Sequence, residues 1–474
     1  MDNRPYWLPP QLQPSVPPTI TPVLGIAPHS FVTEHYAAVY TAKNEIDSIA
    51  PVGQWDDAKK ITNPYEYIFL SLARRMNRSI AGIQPLSRSY FKMIEMWNQL
   101  SLDSLPLKKS AHTAEGPGGF LEAIQKYRNI PMTAMTLKST EKTIPGWRKS
   151  AAFLSRYPQV HITYGSDGTG NIYNLANQLL FASLAAPAQL YTADGGFDFS
   201  ADFNGQENIV QRLVAAEALA ALNCLESGGV MILKIFDTTT RSTLELLWLL
   251  TICFKKTALI KPHTSRPANS ERYWIGYGLL SEIPQWVKDT LVHLTVTDAP
   301  HGWQCIFDRI PWQKEWLDAV LQFQAQLEIH QLTAIKETLT LIREPTRERI
   351  SILLERNISN SRNWCQTNKI PENPAYHNKS TKAILGLNLE EALAPFQVLD
   401  GHTHLPALFQ QRQMHHVSFV APLPHVPTGQ AWRSTVPPSV LGRKPSQTIL
   451  GNVPSTLSDQ EQNVDQCPDS DDLL

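Results

Sequence analysis

Four side chains of this 474-residue chain have the types needed to take a proton from an alcohol near neutral pH: Lys92, Asp194, Lys234 and Glu271. A lysine acts as a base only if burial or a neighbouring cation brings its pKa from about 10.4 toward about 7–8. Two carboxylates beside two amines would hold them in place and keep the cluster's charge tolerable. The same four types could also make a buried ion-pair network with no chemistry. Each lies beside a stretch with its own meaning. Ala111–Phe120 reads A-H-T-A-E-G-P-G-G-F, three glycines and a proline between a strand-like lead and a helical pattern (Leu121, Ile124, Tyr127). Such a turn lets a ligand approach bare backbone. Asp194-Gly195-Gly196-Phe197, Lys234-Ile235-Phe236-Asp237 and Ser265–Arg272 follow at strand ends, and Lys92 lies upstream among Tyr90, Phe91, Met93, Ile94, Met96 and Trp97.

Positioning these residues is the task of residues 108–280, where strand and helix patterns alternate. The spacing predicts strands at Lys109–Thr113, Met132–Leu137, Val160–Tyr164, Ala188–Ala193, Val230–Ile235, Ala258–Pro262 and Tyr273–Leu279. Helices are expected at Leu121–Arg128, Gln206–Leu225 and Ser242–Phe254, with Gly228-Gly229 closing the second. This is an α/β chain with a Rossmann-like, doubly wound, mostly parallel sheet, whose ligands belong at the C-terminal strand ends. Residues 1–30 are too proline-rich for a helix or central strand and read as a flexible leader. Residues 31–107 are mostly helical, with a helix start at Asn63-Pro64-Tyr65-Glu66 and another helix from Arg88 to Leu100. Residues 281–376 form a helical appendage (Trp316–Ile342, Thr346–Asn360), and residues 377–474 read as a Pro/His/Gln-rich, acidic-ended, mostly disordered tail. His402, His404, His415, His416 and His425 of that tail have no acidic or Cys partner at ligand spacing, so no metal is expected.

The formal net charge of −1 conceals an uneven distribution. From Lys59 to Arg156 there are 16 Lys+Arg against 6 Asp+Glu, whereas the last eighteen residues carry six acids and no Lys or Arg. A basic segment beside the glycine turn fits a phosphate-bearing partner, although it would also serve as a solvated surface. Five scattered cysteines without a C-x-x-C point to reduced thiols and against a disulfide framework or zinc ribbon. No signal peptide is visible. The most apolar run, Leu244–Phe254, is far shorter than the roughly 20 residues a bilayer needs, so it reads as a buried helix and no membrane partner is expected.

Taken together, Lys92, Asp194, Lys234 and Glu271 around E-G-P-G-G-F resemble the tetrad of the FtsJ-like 2′-O-ribose methyltransferases. A-M-T-L-K, D-G-G-F, Gly205–Asn208 (G-Q-E-N), L-K-I-F-D, N-P-Y-E and Lys261–Tyr273 (K-P-H-T-S-R-P-A-N-S-E-R-Y) bring the chain nearer to the cap-specific mRNA (nucleoside-2′-O-)methyltransferases. The resemblance covers roughly residues 40–280. It implies methylation of the ribose 2′-OH of the first, or second, transcribed nucleotide of capped RNA, with Lys234 as general base. It implies S-adenosylmethionine as cofactor, held by Thr113, Ala114, Glu115, Gly116, Pro117, Gly118 and Gly119, with Asn171, Ile172 and Asp194. Ser87 stands where the family has Asn. Thr136-Leu137-Lys138 lacks the acidic ribose ligand of dinucleotide folds. Methyl transfer from a sulfonium needs no metal, and none is expected. By the same resemblance Asn208, Ile209, Val210 and Asn269 contact RNA, and Lys43, Asn44, Lys59 and Lys60 grip the cap and its phosphates. Two rival readings are methylation of uncapped rRNA or tRNA, and a non-catalytic RNA-binding or virion protein on the same fold. The proline-rich ends invite docking to capping or polymerase machinery. The expected location is cytoplasmic, a reading that admits a viral factory or virion, with the nucleus as the alternative.

Overall fold

Runs of alternating or continuous apolar residues become ten strands in the structure, a computed structural model that describes residues 3–49, 53–70, 78–139, 146–197 and 204–396. In chain order the strands are β1 (Tyr6–Leu8), β2 (Ile20–Leu24), β3 (Ser110–Thr113), β4 (Met132–Met135), β5 (Val160–Thr163), β6 (Ala188–Ala193), β7 (Leu225–Ile235), β8 (Phe254–Ile260), β9 (Arg272–Leu279) and β10 (Trp303–Phe307). Eight form one sheet in the order β1-β8-β9-β7-β6-β3-β4-β5. Strands β3 to β7 pair in parallel, and β9 lies antiparallel to both β7 and β8. Because β9 runs backwards, its first residue lies level with the last residues of β6, β7 and β8. Thr113, Ala193, Ile235, Ile260 and Arg272 therefore meet at one edge, as the expected doubly wound α/β fold requires.

The sheet has two buried faces, and side chains one residue apart go to opposite ones. Tyr191, Leu233 and Trp274 join a cluster with the helices Gln206–Cys224 and Arg241–Thr251. Leu190, Ile232 and Ile275 join another with the helices Ser89–Gln99, Gly119–Tyr127 and Arg347–Thr367. Continuing the alternation from Val230 and Ile232 puts Lys234 on the face covered by Ser89–Gln99, the helix that carries Lys92. Arg241–Thr251 is buried almost throughout, as its sequence anticipates. No helix among the described residues is long and apolar enough to cross a membrane.

Four expectations change. The leader is not flexible over its whole length: β1 adds antiparallel to the edge strand β8, and β2 pairs with β10. Pro22 is tolerated within β2, and Pro5 and Pro9 flank β1, because an edge strand needs only half of its backbone hydrogen bonds. Asn63–Glu66 starts no long helix but a single turn, Glu66–Ile68; residues 71–77 lie outside the described residues. Gly228-Gly229 caps no helix. The helix ends at Cys224, Leu225 is already extended, and both glycines lie within β7 beside a register shift against β6. Finally, Thr381–Leu393 of the expected disordered tail is a helix, with Ser380 Oγ accepting from Ala383 N. It buries Ile384, Leu385 and Leu393, an apolar set hidden in the sequence by the surrounding polar composition. The tail histidines lie outside the described residues.

Candidate active site

The four singled-out side chains converge at the strand-end edge. Lys92 Nζ donates to Glu271 Oε2 at 2.9 Å, and Lys234 Nζ stands 4.0 Å from the same oxygen. Lys234 Nζ also donates to the Asp194 carbonyl at 3.1 Å and lies 3.5 Å from Asp194 Oδ1. Tyr273, opposite Lys234 in register, donates its hydroxyl to Asp194 Oδ1 at 2.8 Å. Lys234, Asp194 and Glu271 are all largely withdrawn from solvent. Two amines and two carboxylates thus alternate around one point.

Their electrostatics differ from the expected fall of Lys234 toward neutrality. Burial favours its uncharged form, but the Asp194 and Glu271 carboxylates outweigh burial and hold its pKa above the ordinary lysine value. Lys92 gives its charge to Glu271 instead of crowding Lys234. Burial would also raise the Glu271 carboxyl, yet Lys92, Lys234 and Lys261 hold it well below the usual carboxylate range. Glu217 was not anticipated. It lies on the helix Gln206–Cys224 beneath Gly195, where burial keeps it protonated far above the carboxylate range. An alanine Cβ at position 195 would come within 2.3 Å of Glu217 Oε1, so the glycine lets the acid sit under the Asp194 turn.

The glycine turn follows β3. Ala114 N donates to the Met135 carbonyl at 2.9 Å, and Gly118, at φ 105°, precedes the helix Gly119–Tyr127. A Cβ on Gly116 would meet the Gly146 carbonyl oxygen at 2.5 Å, so backbone passes here against backbone. Glu115 is buried; Thr192 donates to one carboxylate oxygen, while Oε2 has no hydrogen-bond partner. Glu271 Oε1 is likewise buried without a partner. Thr113 Oγ1 bonds the Tyr191 hydroxyl, and Ser87 Oγ bonds Ser89 Oγ at 2.6 Å. Pro117 gives its carbonyl to Ser150 Oγ. Asn171 turns its Oδ1 back to Tyr173 N at 3.0 Å, and Ile172 is buried against the core. A cation with hydrogen-bond donors fits this acid-lined turn. Among the described residues no group of His, Cys, Asp or Glu is placed to hold a metal ion.

The positions anticipated for RNA contact are more dispersed. Lys43 pairs with Asp237 at 3.3 Å, and Asn44 Oδ1 accepts from Asn204. Lys59 is buried against Asp56, and Lys60 gives its carbonyl to Asn357. Asn208 is buried and clasps the backbone of Ala27, accepting from its N–H at 2.9 Å. Val210 points into the core, whereas Ile209 is half-buried. The side chains of Asn208 and Val210 are therefore committed to the fold, a consequence of the N-terminal segment returning over the start of their helix. Asn269 Oδ1 accepts from Lys261.

Two carboxylates beside the site carry a pH signature. Glu66, between Arg266 (2.8 Å) and Arg88 (3.2 Å), is held down to about 2 despite burial, and Asp237 is held at about 2 by Lys43 and Arg272. A depressed carboxyl pKa stabilises the fold above the ordinary carboxylate value and loses that contribution as pH falls toward 2. Denaturant melts should therefore show stability declining steeply between about pH 4.5 and pH 2.

The FtsJ-like methyltransferase family model matches residues 85–279. The cap-specific mRNA (nucleoside-2′-O-)-methyltransferase 1 of Trypanosoma cruzi is 33% identical over 210 residues, 42% of this chain and 57% of that protein. The protein of the same name from Leishmania braziliensis is 38% identical over 175 residues, 35% of this chain and 42% of that one. That of Mus musculus is 32% identical over 250 residues, 47% of this chain and 28% of that one. The matched part thus spans between about a quarter and just over half of these relatives. Over residues 85–279, the chain is similar to the FtsJ-like methyltransferases.

Proposed function

We propose that the chain uses S-adenosylmethionine to methylate the ribose 2′-OH of the first transcribed nucleotide of capped mRNA. The observation that carries this reading is the meeting of Lys92, Asp194, Lys234 and Glu271 at the strand ends beside the glycine turn. The capped substrate is supported by the relatives, which are named as cap-specific mRNA methyltransferases.

The backbone of Thr113–Gly119 and the acids Glu115 and Asp194 would hold the cofactor, with Asn171, Ile172 and Ser87 around it. Bound there, the cofactor supplies a methyl group already activated by its positively charged sulfur. The remaining work belongs to the chain's own residues. Lys234, once neutral, would take the proton of the 2′-hydroxyl. Its raised pKa in the free protein means that the proton must first be shed, and a cation brought beside it works in that direction. Glu271 orients Lys234 and Lys92, and Asp194 anchors Lys234 through both its carbonyl and its carboxylate. Asn269 and the lysines 43, 59 and 60 border the RNA path. Each true phosphate contact made by one of these lysines should steepen the salt dependence of binding by about one unit of slope.

The test uses the full chain with capped RNA and with triphosphate-ended RNA of the same sequence. Digestion and mass identification should place the methyl on the 2′-oxygen of the first nucleotide of the capped RNA. Preferential methylation of the uncapped RNA, or of a base, rejects the proposal.

A further inference from the structure

The segment Lys261–Tyr273 leaves the end of β8 and returns at the start of β9, carrying Glu271 to the tetrad. Much of it is pinned to surrounding helices. Glu95, on the Lys92 helix, accepts from His263 N at 2.6 Å and from Thr264 N at 3.2 Å. Arg266 is held by Glu66, the Ala268 carbonyl by Gln331 at 3.0 Å, and Ser270 Oγ by Gln206 at 2.9 Å. The chord across the base of the loop is closed by one side chain. Lys261, only 5% exposed, points its ammonium at three oxygens: the Asn269 carbonyl (2.9 Å), Asn269 Oδ1 (2.5 Å) and the Glu271 carbonyl (2.6 Å). An ammonium has three donors, and all three have an acceptor here.

We propose that Lys261 is a positioning residue, whose ammonium fixes Asn269 and Glu271 relative to β8 and so sets the Lys92–Glu271–Lys234 spacing used in the methyl transfer proposed above. It touches neither the reacting oxygen nor the methyl group and acts through Glu271. This inference rests on that proposed reaction for its kinetic consequence, but not for its structural one.

The grip depends on a proton. Burial, with Arg272 and Lys92 nearby, lowers the Lys261 pKa to about 7 against the opposing pull of Glu271 and Asp237. A neutral amine keeps two donors and turns its lone pair toward an oxygen, so one of the three bonds is lost. Arginine stays charged and retains its donors throughout.

The full chain is compared with its Lys261→Met and Lys261→Arg variants, following kinetics on capped RNA and amide hydrogen exchange. A 1 Å misplacement of catalytic groups can cost about 100-fold, and a kcat loss on that order is expected for Lys261→Met, with the KM for S-adenosylmethionine little changed. Lys261→Arg should restore much of kcat, and its rate relative to the native chain should increase from neutral pH to pH 9. Exchange across residues 262–271 should quicken in Lys261→Met alone. A native kcat in Lys261→Met, or Lys261→Arg no better than Lys261→Met, overturns the proposal. If Lys261→Met does not fold, Lys261→Gln replaces it under the same criteria. If the native chain transfers no methyl to capped RNA, the functional reading fails. Exchange alone then decides the role of Lys261, and unchanged exchange rejects it.

Discussion

Replacing Lys234 with Met should lower the rate of methyl transfer by about 10²–10⁴-fold, the usual worth of a positioned general base. The side chain is buried and unbranched in its surroundings, so methionine occupies a similar volume. The loss of its ammonium leaves Asp194 and Glu271 without their shared cation. The site then becomes more negative, and S-adenosylmethionine, a cation at sulfur, should bind at least as tightly as before. A collapsed kcat with undiminished cofactor affinity is therefore the signature, read by calorimetry alongside initial rates. Lys234→Arg separates base from charge. A guanidinium keeps the positive charge but does not release its proton, so this variant should be as inactive as Lys234→Met. Activity within ten-fold of native in Lys234→Arg would remove Lys234 from the role of base. In the native chain the rate should rise with pH, because the raised pKa leaves the neutral amine scarce at neutrality.

Gly119→Ala should damage both stability and catalysis, through a contact outside the tetrad. A Cβ at this position would meet Ser89 Oγ at 2.2 Å, Ser87 Oγ at 2.4 Å and Tyr90 N at 2.8 Å. The serine hydroxyls can rotate away, but Tyr90 N is backbone of the helix that carries Lys92. The helices Ser89–Gln99 and Gly119–Tyr127 would have to separate, which typically costs about 1–3 kcal/mol for overpacking. Alanine's helix preference over glycine is worth up to about 1 kcal/mol inside a helix and less at its first residue, so the clash decides the sign. Movement of the first helix lengthens the Lys92–Glu271 contact, and kcat should fall further than the loss of folded protein explains. Gly386→Ala is the control. Nothing lies within 4 Å of the added carbon, and the site is inside the helix Thr381–Leu393, so stability should hold or rise. Equal melting curves for Gly119→Ala and the native chain would show that the helices have room the structure denies them.

Consecutive residues wrote much of this protein plainly. The glycine turn after β3, the strand Ala188–Ala193 and the long helices that include Trp316–Ile342 and Thr346–Asn360 are readable because periodicity and turn chemistry act between near neighbours. The alternation along β7 even indicates which face Lys234 occupies. The edge pairing of β1 and β2 was not legible, since a proline-rich strand looks like a linker until a partner strand is placed beside it. Lys261 and Tyr273 stood inside a recognised segment, but only the antiparallel return of β9 turns them toward Glu271 and Asp194. The proton affinity of Lys234 was least accessible of all. It depends on two carboxylates brought in by different elements, Asp194 after β6 and Glu271 before β9. The chain order determined which groups could do chemistry and the local shapes that carry them. Only tertiary structure decided how strongly each holds its proton, because that depends on distances and burial between residues far apart in the chain.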